Sequence, residues 1–299
     1  MKTTPIIILH GLGDNLLLFP VLLDYSLQHK SKLNLVVAKN YGSKSFWENI
    51  RFVNSVREIT LDAHPRFWNI FYFYLIDYAK NIQKAKKITH DQHFIFLKIS
   101  VLPLFVENIL SSIFNRHKLT LAYNELHITP KNTINTISLE DYFKIPKFST
   151  VLRWLKAREL KKFEYICIHY KTFSESKSID KQLINLFIAT YPKISFIIIM
   201  TKQMQDNEEN NGGLIEQKNA YYATEFDVVE LYYVLKFAKK NIVIDSSIMH
   251  LACYTKTPTL AIFKVKKIKP KLILPEAKNI TVKQMYTSHG IKQAMSAFI

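Results

Sequence analysis

The chain has 299 residues, of which 48% are hydrophobic, 22% charged and 13% aromatic. That composition excludes a disulfide-stapled miniprotein and an intrinsically disordered chain, and supplies apolar side chains for two cores. The 41 basic residues exceed the 24 acidic ones by +17, so the partner class is anionic: nucleic acid, an anionic membrane leaflet or a phosphorylated small molecule.

The positive excess is +7 over residues 1–150 (18 basic, 11 acidic) and +10 over 151–299 (23 basic, 13 acidic), so it is not a detachable tail. Cys167 and Cys253 each sit in an apolar run, as reduced core thiols of a cytoplasmic protein do, and give no zinc or disulfide spacing. The opening Met1-Lys2-Thr3-Thr4-Pro5 lacks the order of a secretory signal. Residues 67–76 are too short to cross a bilayer, and 94–110 are broken by Lys98, Pro103 and Glu107, whereas a span needs ~20 apolar residues.

In chain order, the isoleucine-rich run 5–9 predicts a buried strand. His10-Gly11-Leu12-Gly13-Asp14 closes it and leads into a helix over 15–27. With only 6 glycines in the chain, Gly11 and Gly13 read as positions where a side chain would obstruct. A strand follows at 33–38, another at 58–61, and residues 67–113 carry aromatic and aliphatic side chains at helical spacing. Residues 129–150 lose periodicity and contain Pro130 and Pro146, which places a domain boundary near 150. The second half restarts the alternation. Strands are expected at 165–169, 194–200, 241–245 and 259–263, with helices at 178–190, 228–239 and 248–254.

Such alternation predicts an α/β chain with parallel sheets covered by helices. Ligands then collect beyond the carboxyl ends of the strands. At one such end, Asp245 closes a strand, Ser246 and Ser247 occupy the N-cap region of a helix, and His250 lies one turn in. Hydroxyls and backbone N–H groups converging there suit a phosphate; the bland alternative is a capped helix with a core histidine. A complete dinucleotide fingerprint is missing after Gly11-Leu12-Gly13, and no P-loop is present.

The run Asp245-Ser-Ser-Ile-Met-His250-Leu-Ala, then Thr257-Pro258 and an aliphatic strand ending in Phe263, resembles the donor-binding segment of the lipopolysaccharide heptosyltransferase family. These are inverting glycosyltransferases of family 9 with the GT-B fold, two Rossmann-like domains facing a cleft. Phe226 to Lys240 resembles the family's preceding helix, Leu12-Gly13-Asp14 with Pro20 its N-terminal Gly-Asp segment, and the strand 165–169 followed by Lys177 the start of its second domain. The resemblance implies an acceptor-binding domain over 1–150 and a nucleotide-sugar-binding domain over 151–299.

It further implies that Asp14 is the general base. A hydroxyl becomes a competent nucleophile once a positioned carboxylate takes its proton, worth ~10²–10⁴ in rate, and an aspartate of pKa ~3.9 is ionised at neutral pH. The bland alternative for Asp14 is a helix N-cap. By resemblance Gly13, Thr172, Lys177, Asp245, Ser246, Ser247 and His250 hold the donor diphosphate without a metal, Phe226 contacts the base, and a carboxylate within 206–209 meets the ribose. No cofactor is implied. The implied partners are an ADP-heptose-like nucleotide sugar, a lipid-linked anionic glycan acceptor and the cytoplasmic face of the inner membrane, and not nucleic acid.

The chain departs from the family pattern at Ser247, where glycine is usual, and after Phe263, where Lys264-Val-Lys266-Lys267 replaces Gly-Pro or Gly-Thr. Lys264, Lys266 and Lys267, with Lys269 and Lys271, would form an anion patch for the acceptor or the leaflet. The aromatic run 67–74 reads as core, or as an interfacial patch. Two other readings stand beside a heptosyltransferase: a related transferase using a different nucleotide sugar, and a non-catalytic basic module for membrane or nucleic acid.

Overall fold

The computed structural model describes residues 5–8, 11–39, 42–60, 95–97, 137–172, 174–210, 214–264 and 278–299. The chain divides into two compact units, Met1–Pro130 and Lys131–Ile299.

In the first unit, β1 (Pro5–Ile8), β2 (Leu33–Ala38), β3 (Val53–Ile59) and β4 (Ile95–Leu97) form a sheet of order β3-β2-β1-β4. All its pairings are parallel. A central parallel strand is covered on both faces, which is why β1 reads as an unbroken apolar run and Ile6, Ile7 and Ile8 are all buried. Helix α1 (Leu12–Gln28) follows β1, and α2 (Ser43–Glu48) precedes β3. The two helices are joined inside the core, where the Trp47 indole N–H donates to Asn15 Oδ1 at 2.6 Å and stacks on Phe19 at 6.1 Å.

Two expectations for this unit need correction. The strand expected at 58–61 runs from Val53 to Ile59, because alternation there is weakened by exposed polar residues at 54 and 55. Within the stretch expected to be helical, Ile95–Leu97 is a strand paired with β1; a short apolar run has no period that separates strand from helix. The aromatic run 67–74 lies outside the described residues.

The boundary between the units falls at Pro130/Lys131, earlier than the expected 150. Residues 137–156 pack on the second unit: Ile137, Leu139 and Phe143 are buried, Phe143 meets Tyr232 edge-on at 5.4 Å, and Glu140 pairs with Lys236. Their apolar side chains are irregularly spaced along the segment, so burial here leaves no periodic trace. Helix α3 (Phe148–Lys156) straddles the expected boundary.

The second unit contains β5 (Tyr165–His169), α4 (Lys181–Thr190), β6 (Ser195–Ile199), α5 (Lys202–Asn210), β7 (Ala220–Ala223), α6 (Val228–Lys236) and β8 (Lys240–Ile244). These are followed by α7 (Ser247–Cys253), β9 (Thr259–Phe263), β10 (Ile280–Gln284) and α8 (Ser288–Phe298). The sheet has order β10-β9-β8-β5-β6-β7 and every pairing is parallel. From β5 the chain builds outward through β6 and β7, then returns to add β8, β9 and β10 on the other side. This is the doubly wound order with its reversal between β5 and β8, where loops diverge to opposite faces and leave a crevice.

Candidate functional site

At that reversal, β5 and β8 run in register, with His169 opposite Val243. The residues following each strand therefore meet. Asp245, next after β8, is 8% exposed, and its Oδ2 accepts from Lys177 Nζ at 2.7 Å. Lys177 arrives on a short 3-10 turn after β5. A carboxylate this buried needs a cation or several donors, and the lysine supplies one while remaining partly open to solvent.

Two further groups face the same crevice. Ser246 is the N-cap of α7, yet its hydroxyl makes no capping hydrogen bond and is buried without a partner. His250, on the same helix, is 6% exposed and its Nδ1 is likewise unpartnered. Burial lowers its pKa to about 4, with Asp245 opposing the shift and Lys177 reinforcing it. A buried polar atom without a partner is costly in a folded chain, so two within one helical turn, beside a lysine, mark a place suited to an anionic ligand. Ser246 thus stands at the cap without capping the helix, and His250 is buried with one ring nitrogen unsatisfied. Ser247, the first residue of α7, is half-buried.

Beside the crevice lies a cavity of about 800 Å3, lined on one wall by Tyr170, Lys171, Thr172 and Ser178, and on the other by Met204, Asn207 and Glu208. Glu208 is 9% exposed, pairing with Lys171 at 3.0 Å and Lys181 at 3.5 Å. Burial works against charge on Lys171, yet Glu175 and Glu208 together hold its pKa above the usual lysine range. Of the acidic run 206–209, Glu208 is thus the member turned inward. Sequence reading missed Lys171, in the loop after β5, and Lys181, the first residue of α4, because their pairing with a carboxylate on α5 depends on how these elements pack.

The other expected site residues are distributed as follows. The Thr172 hydroxyl lines the cavity but donates to the Ser174 carbonyl at 3.0 Å. Lys264 is also a cavity-lining residue, its ammonium donating to the Ser178 carbonyl at 2.5 Å, so it closes the wall rather than extending a free patch. Lys266 and Lys267 lie outside the described residues. Phe226 packs edge-on against Trp154 at 5.3 Å and is not among the cavity-lining residues.

In the first unit, α1 begins at Leu12 with Gly11 as its N-cap. Asp14 is therefore in the first turn just beyond β1 rather than at the cap, which corrects the capping alternative; its side chain lies outside the described residues. Gly13 is half-buried in the same turn. A Cβ built at Gly11 would meet nothing within 4 Å, so the chain itself imposes no steric need for glycine there. The thiols of Cys167 and Cys253 are buried and unpaired, as expected of core cysteines. Among the described residues no His, Cys, Asp and Glu cluster could hold a metal ion, and no helix is long and apolar enough to cross a membrane.

No family profile matches the sequence, and no curated protein matches it. Solved structures do. A glycosyl transferase of family 9 from Veillonella parvula DSM 2008 superposes with a TM-score of 0.65 at 12% identity, covering 99% of this chain and 90% of that one. The E. coli heptosyltransferase WaaC, solved with ADP, gives 0.60 at 14% identity over 99% and 100% of the two chains. The E. coli ADP-heptose lipopolysaccharide heptosyltransferase II gives 0.56 at 9% over 99% and 98%. Likeness at such low identity is likeness of fold, and it spans the whole chain: this protein has the α/β fold, two parallel sheets of the GT-B class, of the family 9 glycosyltransferases and heptosyltransferases.

Proposed function

We propose that the protein is an inverting, metal-independent glycosyltransferase. It moves a heptose-like sugar from a nucleoside-diphosphate donor to a lipid-linked lipopolysaccharide or lipooligosaccharide core acceptor at the cytoplasmic face of the inner membrane. The observation that carries this reading is the group of Lys177, Asp245, Ser246 and His250 at the reversal of the second sheet, with two of its buried polar atoms unpartnered. A diphosphate supplies what those atoms lack. Its oxygens accept from the Ser246 hydroxyl, from the Lys177 ammonium and from a protonated His250, and the same contacts stabilise the charge that develops as the glycosidic bond breaks.

The nucleoside fits the neighbouring cavity, with Glu208 as acceptor for ribose hydroxyls and Thr172 beside the phosphates. Phe226 is retained as a base contact only through the family resemblance, since its ring is engaged by Trp154. Asp14 serves as the base that deprotonates the acceptor hydroxyl; its place in the first turn after β1 supports that role by position in the chain. Gly13 leaves that turn open to the reacting groups. E. coli WaaC, whose fold this chain shares, has been solved with ADP and with ADP-2-deoxy-2-fluoro heptose, which supports an ADP-sugar as the donor.

The test is a thermal-shift panel of ADP, UDP, GDP and CMP, followed by transfer assays with the stabilising nucleotide's sugars. A ligand that binds only the native state raises its melting temperature, and ADP is expected to do so most. Removing one charge-assisted contact with Lys177→Ala should weaken the nucleotide by about 10- to 100-fold. Asp14→Ala should leave nucleotide binding intact and abolish transfer; undiminished turnover in that variant would remove the proposed base.

A further inference from the structure

At the amino ends of β5 and β8, away from the nucleotide crevice, the second unit turns large apolar side chains into solvent. Phe163 is 60% exposed, Ile145 64% and Phe148 44%. They border one feature, the C-terminal turn of α6. The Phe163 N–H donates to the Phe237 carbonyl at 2.7 Å, and Lys162 Nζ sits 4.5 Å over the Phe237 ring. Phe148 lies 6.1 Å from Tyr233, whose ring is 5.7 Å from that of Phe237. Ile145 is on the segment between Phe148 and Phe143, and Phe143 also meets Tyr233, at 6.2 Å.

Phe163 adopts φ 64°, the left-handed region that favours glycine. It is the third residue of a turn in which the Glu164 N–H donates to the Lys161 carbonyl at 3.3 Å, a position that favours glycine, and the turn leaves Phe163 60% exposed. The surroundings are cationic: between Lys144 and Phe163 stand seven basic residues and one acidic one. Lys144, Arg153, Lys156, Lys161 and Lys162 are exposed, as is Lys239 just before β8.

We propose that this surface seats the protein on an anionic lipid bilayer. The Phe163 and Phe148 rings and the Ile145 side chain enter the boundary between headgroups and acyl chains, while the lysines around them meet lipid phosphates. Charge alone would suit nucleic acid equally, but an exposed aliphatic side chain among the rings gains nothing from phosphate or base edges and gains from acyl chains. The proposal extends the reading of a transferase with a lipid-linked acceptor. It names a surface distinct from the donor site, and vesicle binding is measured without any sugar, so either idea can fail without the other.

The experiment is co-sedimentation of the full chain with vesicles of phosphatidylcholine alone and of phosphatidylcholine mixed with phosphatidylglycerol. Binding is expected on the mixed vesicles and should weaken about 30-fold in the Lys161→Gln/Lys162→Gln variant, at ~1 kcal/mol per basic residue. The Ile145→Ser/Phe163→Gly variant should weaken it more than about tenfold through lost apolar burial. Its melting temperature should not fall, because glycine suits the backbone at 163. Equal binding by these variants and the parent chain, or equal binding to neutral and anionic vesicles, would overturn the proposal. So would an oligonucleotide that displaces the vesicles and loses its own binding in the same variants.

Discussion

His250 and His169 sit beside the carboxyl ends of the two central strands of the second sheet, and burial lowers each to about 4. His169 Nδ1–H donates to the Ile199 carbonyl at 2.8 Å and ties β5 to β6. Both rings are neutral in the folded chain near pH 6, whereas an unfolded histidine titrates at ~6.5. The unfolded state therefore binds more protons between about 4 and ~6.5, and stability is complete above that window and lost as pH falls through it. The expected slope is up to about 1.4 kcal/mol per pH unit for each histidine, read by urea unfolding across pH, and His250→Gln should remove about half of it, leaving the His169 share. A diphosphate beside His250 favours its charged form. ADP binding should then take up a proton and tighten as pH drops from 7 towards about 6, measured by calorimetry in buffers of differing ionisation enthalpy. In His250→Gln that dependence should disappear.

At the scale of elements, the helices of the second unit differ in how their first turns are closed. Asp227 begins α6 with a reciprocal capping box, its side chain accepting from the Glu230 N–H while the Glu230 side chain accepts from the Asp227 N–H, and it also pairs with Lys147 of the segment leading into α3. Asp180 begins α4 with a single bond from the Gln182 N–H. Asp227→Ala should therefore cost about 1–2 kcal/mol and Asp180→Ala about 0.5–1 kcal/mol in equilibrium unfolding; the reverse order would contradict this account of α6. Helix α7 inverts the pattern, since its N-cap Ser246 does not serve the helix. That is legible only after folding, because Asp-Ser-Ser before an apolar run reads as an ordinary cap.

For the whole molecule, the second unit holds a sheet of six strands among the described residues and all four groups of the proposed phosphate site. Residues 131–299 should fold cooperatively when expressed alone and retain nucleotide binding, as judged by far-UV circular dichroism melts with and without ADP; a fragment cut at 151 should be less stable, having lost Leu139, Phe143 and part of α3. The α/β class, the strands β1, β2, β5, β8 and β9, and the segment Asp245–Phe263 were determined by the sequence itself. Buried parallel strands require unbroken apolar runs, and a strand-to-helix turn brings Asp245, Ser246 and His250 together within a few residues. Tertiary structure alone decided that Lys177 meets Asp245, that Glu208 is the inward carboxylate, and that 137–156 belongs to the second unit. It also decided that β4 is a strand and that Phe163 faces water. Each of these depends on which distant side chain arrives opposite, a matter of sheet order and helix packing that local periodicity does not encode.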